Sequence, residues 1–313
     1  MKMYAFGVDI GGTTVKMGLF QTDGTLLDTW EIPTRTQENG KYILNDIAEA
    51  VGNKIGEKQI SKLDIEGIGM GVPGPVGPDG TVFKCVNLGW GIFNVGQEME
   101  KISGFKVKAG NDANVAALGE MWQGGGKGCR NLVMVTLGTG VGGGIIINGQ
   151  ILAGMNGAAG EIGHLPMRDN ETEVCGCGKK GCLEQYASAT GIVRMTKKYL
   201  EKNPELESLL CIEKGFTAKE ICDAAKAGDK AALAMVDETG VMLGKALASI
   251  ACVMNPEVFV IGGGMAKAGD VLLDAIRRHY TEYVFHAACE TKFRQAELGN
   301  NAGIYGGVRL VLE

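Results

Sequence analysis

At 313 residues with 45% apolar content, the chain is long enough to fill two cores of ordinary size, which excludes a disordered tail or a miniprotein. Charged residues make up 21% and the net charge is −5, so there is no basic footprint for nucleic acid or an anionic membrane, and the expected partner is a small molecule. Asp9 falls where a signal peptide would need an unbroken apolar segment, and "LVMVTLGTGVGGGIII" is broken by five glycines. A cytoplasmic protein without a membrane span is therefore expected.

The opening reads as a β-meander: "AFGVDI", a turn "GGTT", "VKMGLF", a turn "QTDG", then "TLLDTWEI". Between Lys41 and Lys58, Ile43, Leu44, Ile47, Val51 and Ile55 recur at three- and four-residue spacing and predict one buried helical stripe. Strands are predicted at 65–72 and 105–111, with the loop "PGPVGPDG" and the stretch "NLGW" between them. The helix "ANVAALGEMWQGG" after Asp112 ends in a glycine stop that marks a domain boundary.

"VTLGTGVGGGIIING" (135–149) then repeats the strand, glycine-threonine turn, strand logic of "VDIGGTTVKMGLFQT" (8–22) at an offset of 127 residues, as two related α/β halves would. Helices are predicted at about 187–202, 217–227 and 229–254, then a buried strand entering "GGG" at 262–264, the helix "AGDVLLDAIRRHY", and a last helix, "AGIYGGVRLVLE", returning to the first domain. The boundaries are set at 1–113 plus 301–313 for one domain and 114–300 for the other.

A phosphate chain needs several backbone N–H donors at close range, and hairpin turns supply them where missing side chains let the ligand approach. "DIGGTT" and "LGTGVGGG" have this form. One such turn is more often merely tight; two in register, with a third glycine turn after a buried strand, point to a nucleotide lying between two halves. The cofactor-binding candidates are Asp9, Gly11, Gly12, Thr13, Thr14 and Lys16, then Gly138, Thr139 and Gly140, and Gly262, Gly263 and Gly264. Lys16 reads equally well as an exposed strand lysine, and Asp9 as a strand-end carboxylate bonded to the turn.

Of nine cysteines, six (Cys85, Cys129, Cys211, Cys222, Cys252, Cys289) are scattered singly and are expected to be reduced core residues. Cys175, Cys177 and Cys182 follow His164 in the spacing H-x10-C-x-C-x4-C. Three thiolates and an imidazole suit tetrahedral Zn²⁺, and four protein ligands leave no open position, so a structural ion is expected. The alternative is a cysteine-rich surface loop without metal. Glu161 and Glu184 flank the cluster, where an ion would hold two carboxylates in fixed relative positions.

"VDIGGTTVK", "TLGTGVGGG" and "VFVIGGG" resemble the two phosphate motifs and the adenosine motif of the sugar kinase, heat-shock-70 and actin superfamily. "NGAAGEIGH" followed by "CGCGKKGCLE" resembles the ROK family (repressors, open reading frames and kinases) more narrowly, and within it the bacterial glucokinase branch. The resemblance implies an α/β, actin-like (ribonuclease H-like) ATPase fold: two α/β domains with a nucleotide and sugar cleft between them. It implies transfer of the ATP γ-phosphoryl group to the 6-hydroxyl of a hexose, glucose first, then N-acetylmannosamine, N-acetylglucosamine, mannose, allose or fructose. ATP, Mg²⁺ and structural Zn²⁺ are the implied cofactors, and a homodimer or higher homo-oligomer the implied assembly. On the same footing Asp112 is the catalytic base, although a lone Asp at a helix start is more often a cap. Asn87, Asn111, Glu161, His164 and Glu184 are the implied sugar ligands, His164 also binding zinc, and Asp9 is the carboxylate near Mg²⁺. Two other classes stay in view. A sugar-sensing repressor would carry a DNA-binding module before the "VDIGGT" strand, and a nucleotide-driven chaperone would lack the zinc loop.

Overall fold

The computed structural model describes residues 2–313. In chain order, β1 (Tyr4–Ile10), β2 (Thr14–Gln21) and β3 (Leu26–Pro33) lead through a single turn, α1 (Gln37–Gly40), to α2 (Ile43–Glu57) and β4 (Ile65–Val72). A two-residue ladder, β5 (Thr81–Val82) with β6 (Phe93–Asn94), precedes α3 (Val95–Ser103), β7 (Val107–Asn111) and α4 (Asp112–Gln123). Next come β8 (Leu132–Leu137), β9 (Val141–Ile147), β10 (Gln150–Ile151), and the helices α5 (Glu184–Ala187), α6 (Ala189–Lys202), α7 (Ala218–Lys226) and α8 (Lys230–Met254). The chain closes with β11 (Val258–Gly262), α9 (Asp270–Tyr283), β12 (Lys292–Gln295) and α10 (Ala302–Leu312).

Two compact units emerge. The first takes in the chain up to Leu132, Gly144–Gly160 and Glu297–Glu313. Its sheet has the order β3-β2-β1-β4-β7, antiparallel in the meander and parallel at β1/β4 and β4/β7. The predicted stripe of α2 (Ile43, Ile47, Val51) packs with Phe6, Val8, Ile68 and Met70 in one continuous core. The opposite face is covered by α10, whose Ile304, Val308 and Val311 join Ala5 and Phe20. This helix lies backbone against backbone: a Cβ on Gly69 would come within 1.7 Å of the Gly307 carbonyl oxygen. Only glycine permits that approach.

α4 packs along the same α10, so 114–132 belong with the first unit and not with the second, where the sequence boundary placed them. The hairpin formed by the end of β9 and β10, paired Ile147↔Gln150, and the stretch 297–300 join that unit too. Glu120 of α4 is fully buried and accepts three backbone N–H groups, from Gly125 at 2.8 Å, Glu297 at 3.0 Å and Leu298 at 2.9 Å. A buried carboxylate needs such partners, and these three tie two loops to one helix.

The second unit comprises Val133–Gly143 and Glu161–Ala296. Here β8 and the start of β9 continue into the wholly buried β11 and then β12, with β11 and β12 parallel. Phe259, Tyr280 and Phe293 stack their rings at centroid distances of 5.0–5.7 Å beneath α9. The Thr217/Glu220 capping box starts α7 and the Asp229 side chain caps α8, which separates two helices that sequence periodicity ran nearly together. The helix predicted at 187–202 starts at Ala189, because Ser188 is extended (φ −88°, ψ 169°) and caps it.

All nine cysteines are free thiols. Of the six isolated ones only Cys85 and Cys222 are buried, while Cys252 and Cys289 are exposed, so apolar neighbours in sequence did not signify a core position. Among the described residues no helix is long and apolar enough to cross a membrane.

Candidate active site

In the first unit the β1–β2 turn closes with Gly11 N–H donating to the Thr14 carbonyl at 2.9 Å. It is tied down by Thr34, whose hydroxyl donates to the Gly11 carbonyl at 2.7 Å and whose N–H donates to the Thr13 carbonyl at 2.8 Å. Gly12, Thr13 and Thr14 are left exposed, as a phosphate cradle requires. Asp9, at the end of β1, stands directly across the ladder from Lys16, which gives that lysine a place beside the turn. Burial, with the Asp112 carboxylate adding to it and Lys16 opposing, pushes the Asp9 carboxyl up to about 6. Two carboxylates sharing one partly dry site is the electrostatic condition that a dication relieves. Asp9 also rests on the first turn of α10: a Cβ on Gly303 would come within 2.5 Å of its Oδ2.

Asp112 opens α4. Its Oδ1 accepts from the Ala113 N–H at 2.8 Å and from Asn111 Nδ2 at 2.9 Å. Asn111 is itself the helix cap, its Oδ1 accepting from the Asn114 N–H at 3.1 Å, and Nδ2 also donates to the Gly74 carbonyl at 3.0 Å. Both amide protons of Asn111 are thus engaged in orienting Asp112 and the 73–80 loop. Only acceptor capacity on its Oδ1 is left for a ligand, a narrower role than the sequence suggested. Asn87 is exposed on a 3₁₀ turn (Val86–Leu88) pinned by the Cys85–Trp90 bridge and by Trp90 Nε1 donating to the Gly40 carbonyl at 3.1 Å.

In the second unit His164, Cys175, Cys177 and Cys182 converge, with ligand atoms all within 4.8 Å of one another. Cys177 Sγ and Cys182 Sγ are 3.6 Å apart, and Cys175 Sγ is 3.8 Å from His164 Nδ1. Tetrahedral bonds of about 2.3 Å to sulfur and 2.0–2.1 Å to nitrogen imply edges of roughly 3.8 and 3.6 Å, so the donor set fits one zinc ion. Turn hydrogen bonds build the loop: Cys175 N–H donates to the Lys179 carbonyl at 2.8 Å, and Gly178 N–H to the Cys175 carbonyl at 2.8 Å. Burial, reinforced by the adjoining Glu184 carboxylate, pushes the Cys175 thiol up to about 12.

The flanking carboxylates meet the histidine on its two nitrogens. Glu184 Oε1 lies 3.7 Å from Nδ1, and Glu161 Oε2 lies 3.9 Å from Nε2. Glu184 Oε1 also accepts from Cys175 Sγ at 2.8 Å, while its Oε2 would stand 2.7 Å from a Cβ on Gly140. One carboxylate therefore touches both the thiol cluster and the second glycine turn. Glu184, Cys175 and Gly140 line a common cavity of about 470 Å³ with Thr139, Ser188 and Thr190. The turn is bonded to the start of α6 through Ala189 N–H to the Gly138 carbonyl at 2.8 Å, and Thr190 Oγ1 to the Thr139 carbonyl at 2.6 Å.

The third glycine turn packs against the second. Gly263 has φ 85°, and a Cβ there would fall 2.5 Å from the Leu137 carbonyl oxygen. Behind the two turns opens a mostly apolar cavity of about 490 Å³, walled by Leu137, Cys222, Met265 and Ala268 with Lys219 and Lys267 at its rim. Size and lining suit a flat heteroaromatic ring. Each unit thus gathers its own share of the predicted residues. Sequence reasoning missed Gly303, the α7 wall of the apolar cavity, and Ser188 and Thr190; a serine breaking the helical pattern at "YASATG" was the available signal for the last two.

Known proteins resemble the chain over nearly its whole length. The chain matches the ROK family over residues 5–313. It is 46% identical over 309 residues to a glucokinase of Halalkalibacterium halodurans, covering 97% of this chain and 94% of that one. It is 29% identical over 318 residues to an N-acetylgalactosamine kinase of a Shewanella species, covering 97% and 96%. Among solved structures, a ROK family glucokinase from Streptomyces griseus in complex with glucose and AMPPNP superposes with a TM-score of 0.75 at 33% identity, covering 98% of both chains. The chain belongs to the ROK family and has the actin-like ATPase fold of that family's sugar kinases.

Proposed function

We propose that this protein is an ATP-dependent hexose kinase acting on the 6-hydroxyl of glucose. The observation that carries the reading is the double contact of Glu184, on the zinc-type cluster and on the glycine turn at 138–140, which sets a sugar-type ligand beside a phosphate-type ligand. Glu161 and Glu184 would accept sugar hydroxyls and His164, with one ring nitrogen on zinc, would donate its other N–H to a sugar oxygen, with Asn87 and the remaining acceptor capacity of Asn111 completing the set. Carboxylates built to receive hydroxyl donors reject analogues lacking them, because a buried acceptor is then left unpaired. His164, Cys175, Cys177 and Cys182 would hold Zn²⁺, a closed donor set that supplies rigidity to a loop lacking its own core.

On the nucleotide side, the turns at 11–14 and 138–140 would receive the phosphates and the cavity beside Gly262–Gly264 the adenine. Mg²⁺ accompanying the nucleotide would neutralise phosphate charge, with Asp9 the carboxylate to hold it. In the transfer the 6-hydroxyl O–H bond breaks and its proton passes to Asp112. The oxygen forms a bond to the γ-phosphorus, the bond from that phosphorus to the bridging oxygen breaks, and ADP leaves. Asn111 and the Ala113 N–H fix Asp112 Oδ1, which orients the base before substrate arrives.

The 46% identity to a glucokinase favours glucose, and the 29% identity to an N-acetylgalactosamine kinase makes another hexose the runner-up. A cytoplasmic homodimer or higher homo-oligomer is the assembly we propose with it. ADP release with Mg-ATP across a panel of hexoses and N-acetylhexosamines tests the reading, beside zinc content and light scattering. Glucose should give the highest kcat/KM; equal ATP hydrolysis with and without sugars would overturn the kinase, and a better N-acetylated substrate would overturn glucose.

A further inference from the structure

Ser188 and Thr190 stand where α5 ends and α6 begins, and their hydroxyls line the cavity shared by Glu184, Thr139 and Gly140. Thr190 Oγ1 reaches the Thr139 carbonyl at 2.6 Å, Ser188 Oγ reaches the Glu184 carbonyl at 2.6 Å, and the two hydroxyl oxygens are 2.9 Å apart. Three short contacts are served by only two hydroxyl protons. The two shorter contacts take them: Ser188 donates to the Glu184 carbonyl and Thr190 to the Thr139 carbonyl, and the 2.9 Å contact between the hydroxyl oxygens is the one without a proton. Thr190 thereby keeps its bond to the turn.

A trans peptide holds its C=O and N–H in opposite directions. The carbonyl of Gly138 is held by the Ala189 N–H and that of Thr139 by the Thr190 hydroxyl. The N–H groups of Thr139 and Gly140 are therefore turned away from the start of α6. We propose that Thr190 is a positioning residue that aims the Gly140 N–H at a bound phosphate. Thr190, Thr139 and Gly140 all lie within the second unit.

The proposal rests on the kinase reading for the turnover it would change, whereas the aim of the turn can be read with nucleotide alone. Thr190→Val keeps the branched shape and removes the proton. Turnover should fall about tenfold to a hundredfold, less than the roughly 10² to 10³ lost when a preorganised donor is removed outright because here the donor is only misaimed, and Mg-AMPPNP affinity by calorimetry should fall about tenfold. Glucose affinity and zinc content should stay within about twofold of wild type, and Thr190→Ser should restore turnover and nucleotide affinity to within about threefold. Thr190 is exposed in the first turn of α6, so both variants should melt like the wild type by circular dichroism. A valine variant with unchanged turnover and nucleotide affinity overturns the proposal. So does a serine variant as impaired as the valine one, or glucose affinity falling in parallel with nucleotide affinity. If wild type phosphorylates no hexose, the kinase reading alone fails and the Mg-AMPPNP affinities still decide for Thr190.

Discussion

Replacing Asp9 by Asn should separate what this carboxylate does for function from what it costs the fold. Its carboxyl ionises at about 6 in the folded protein against 3.8 as a model group, because it is buried and faces Asp112. A folded-state value above the unfolded one means the native state binds the proton more tightly. Stability is then highest while the group is protonated and falls as pH rises from about 4 to about 6. Above that window the ionised group costs on the order of 3 kcal/mol, from 1.36 kcal/mol per pKa step. Asn removes the charge but also the partner of Lys16, so the net gain should be smaller, roughly 1–2 kcal/mol, or a melting temperature about 2–8 °C higher. Melting curves without nucleotide or Mg²⁺ should show the variant ahead at pH 7.5 and level with wild type at pH 4.5, while phosphoryl transfer is lost. A variant melting below wild type at pH 7.5, or a lead of equal size at both pH values, would refute the assignment of a strained buried charge.

Asp112→Asn should bind glucose within a few-fold of wild type by calorimetry while turnover falls about 10² to 10⁴, the share of a positioned base; near-normal turnover removes it as base. Gly303→Ala drives a Cβ into the Asp9 carboxylate, at 2.5 Å from its Oδ2, and should lower both the melting temperature and the affinity for Mg-nucleotide. Exhaustive chelation should release one zinc per chain, increase protease nicking between 164 and 184, and weaken glucose binding more than Mg-AMPPNP binding. In the second unit, burial would raise the Glu171 carboxyl, but the Tyr186 hydroxyl, the Glu173 N–H and Arg194 outweigh it and bring it down to about 2. That depression stabilises the fold above about pH 4.5 and is lost as pH falls toward 2, by up to about 3 kcal/mol. Glu171→Gln should flatten this acid limb in urea titrations; an unchanged limb places the acid sensitivity elsewhere.

The local features of the site were legible because their physics is local. Two glycine-threonine turns between alternating strands, an Asn-Asp pair at a helix start and a His/Cys spacing each need only neighbouring residues to be recognised. The structure places His164, Cys175, Cys177 and Cys182 in one cluster and Asp112 at the first turn of α4. Other features were hidden because their partners are far off in the chain. Glu120 is buried against 297–298; in α10, Gly303 clears the Asp9 carboxylate, Gly306 lets the helix lie on α4 and Gly307 lets it lie on β4. The division at 113 failed to anticipate the packing of α4 on α10 for the same reason.

The sequence by itself determined the elements, the chemistry of each motif and the membership in the family, since periodicity, capping and donor spacing are set within some twenty residues. Only the tertiary structure decided which backbone groups those motifs meet. It seated Asp9 over the first turn of α10 and set Glu184 against both a thiol and a glycine turn. Thr190 became the hydroxyl that turns a peptide plane. Each of these depends on close packing of segments distant in sequence, and burial then fixes the charge or proton that the site can use.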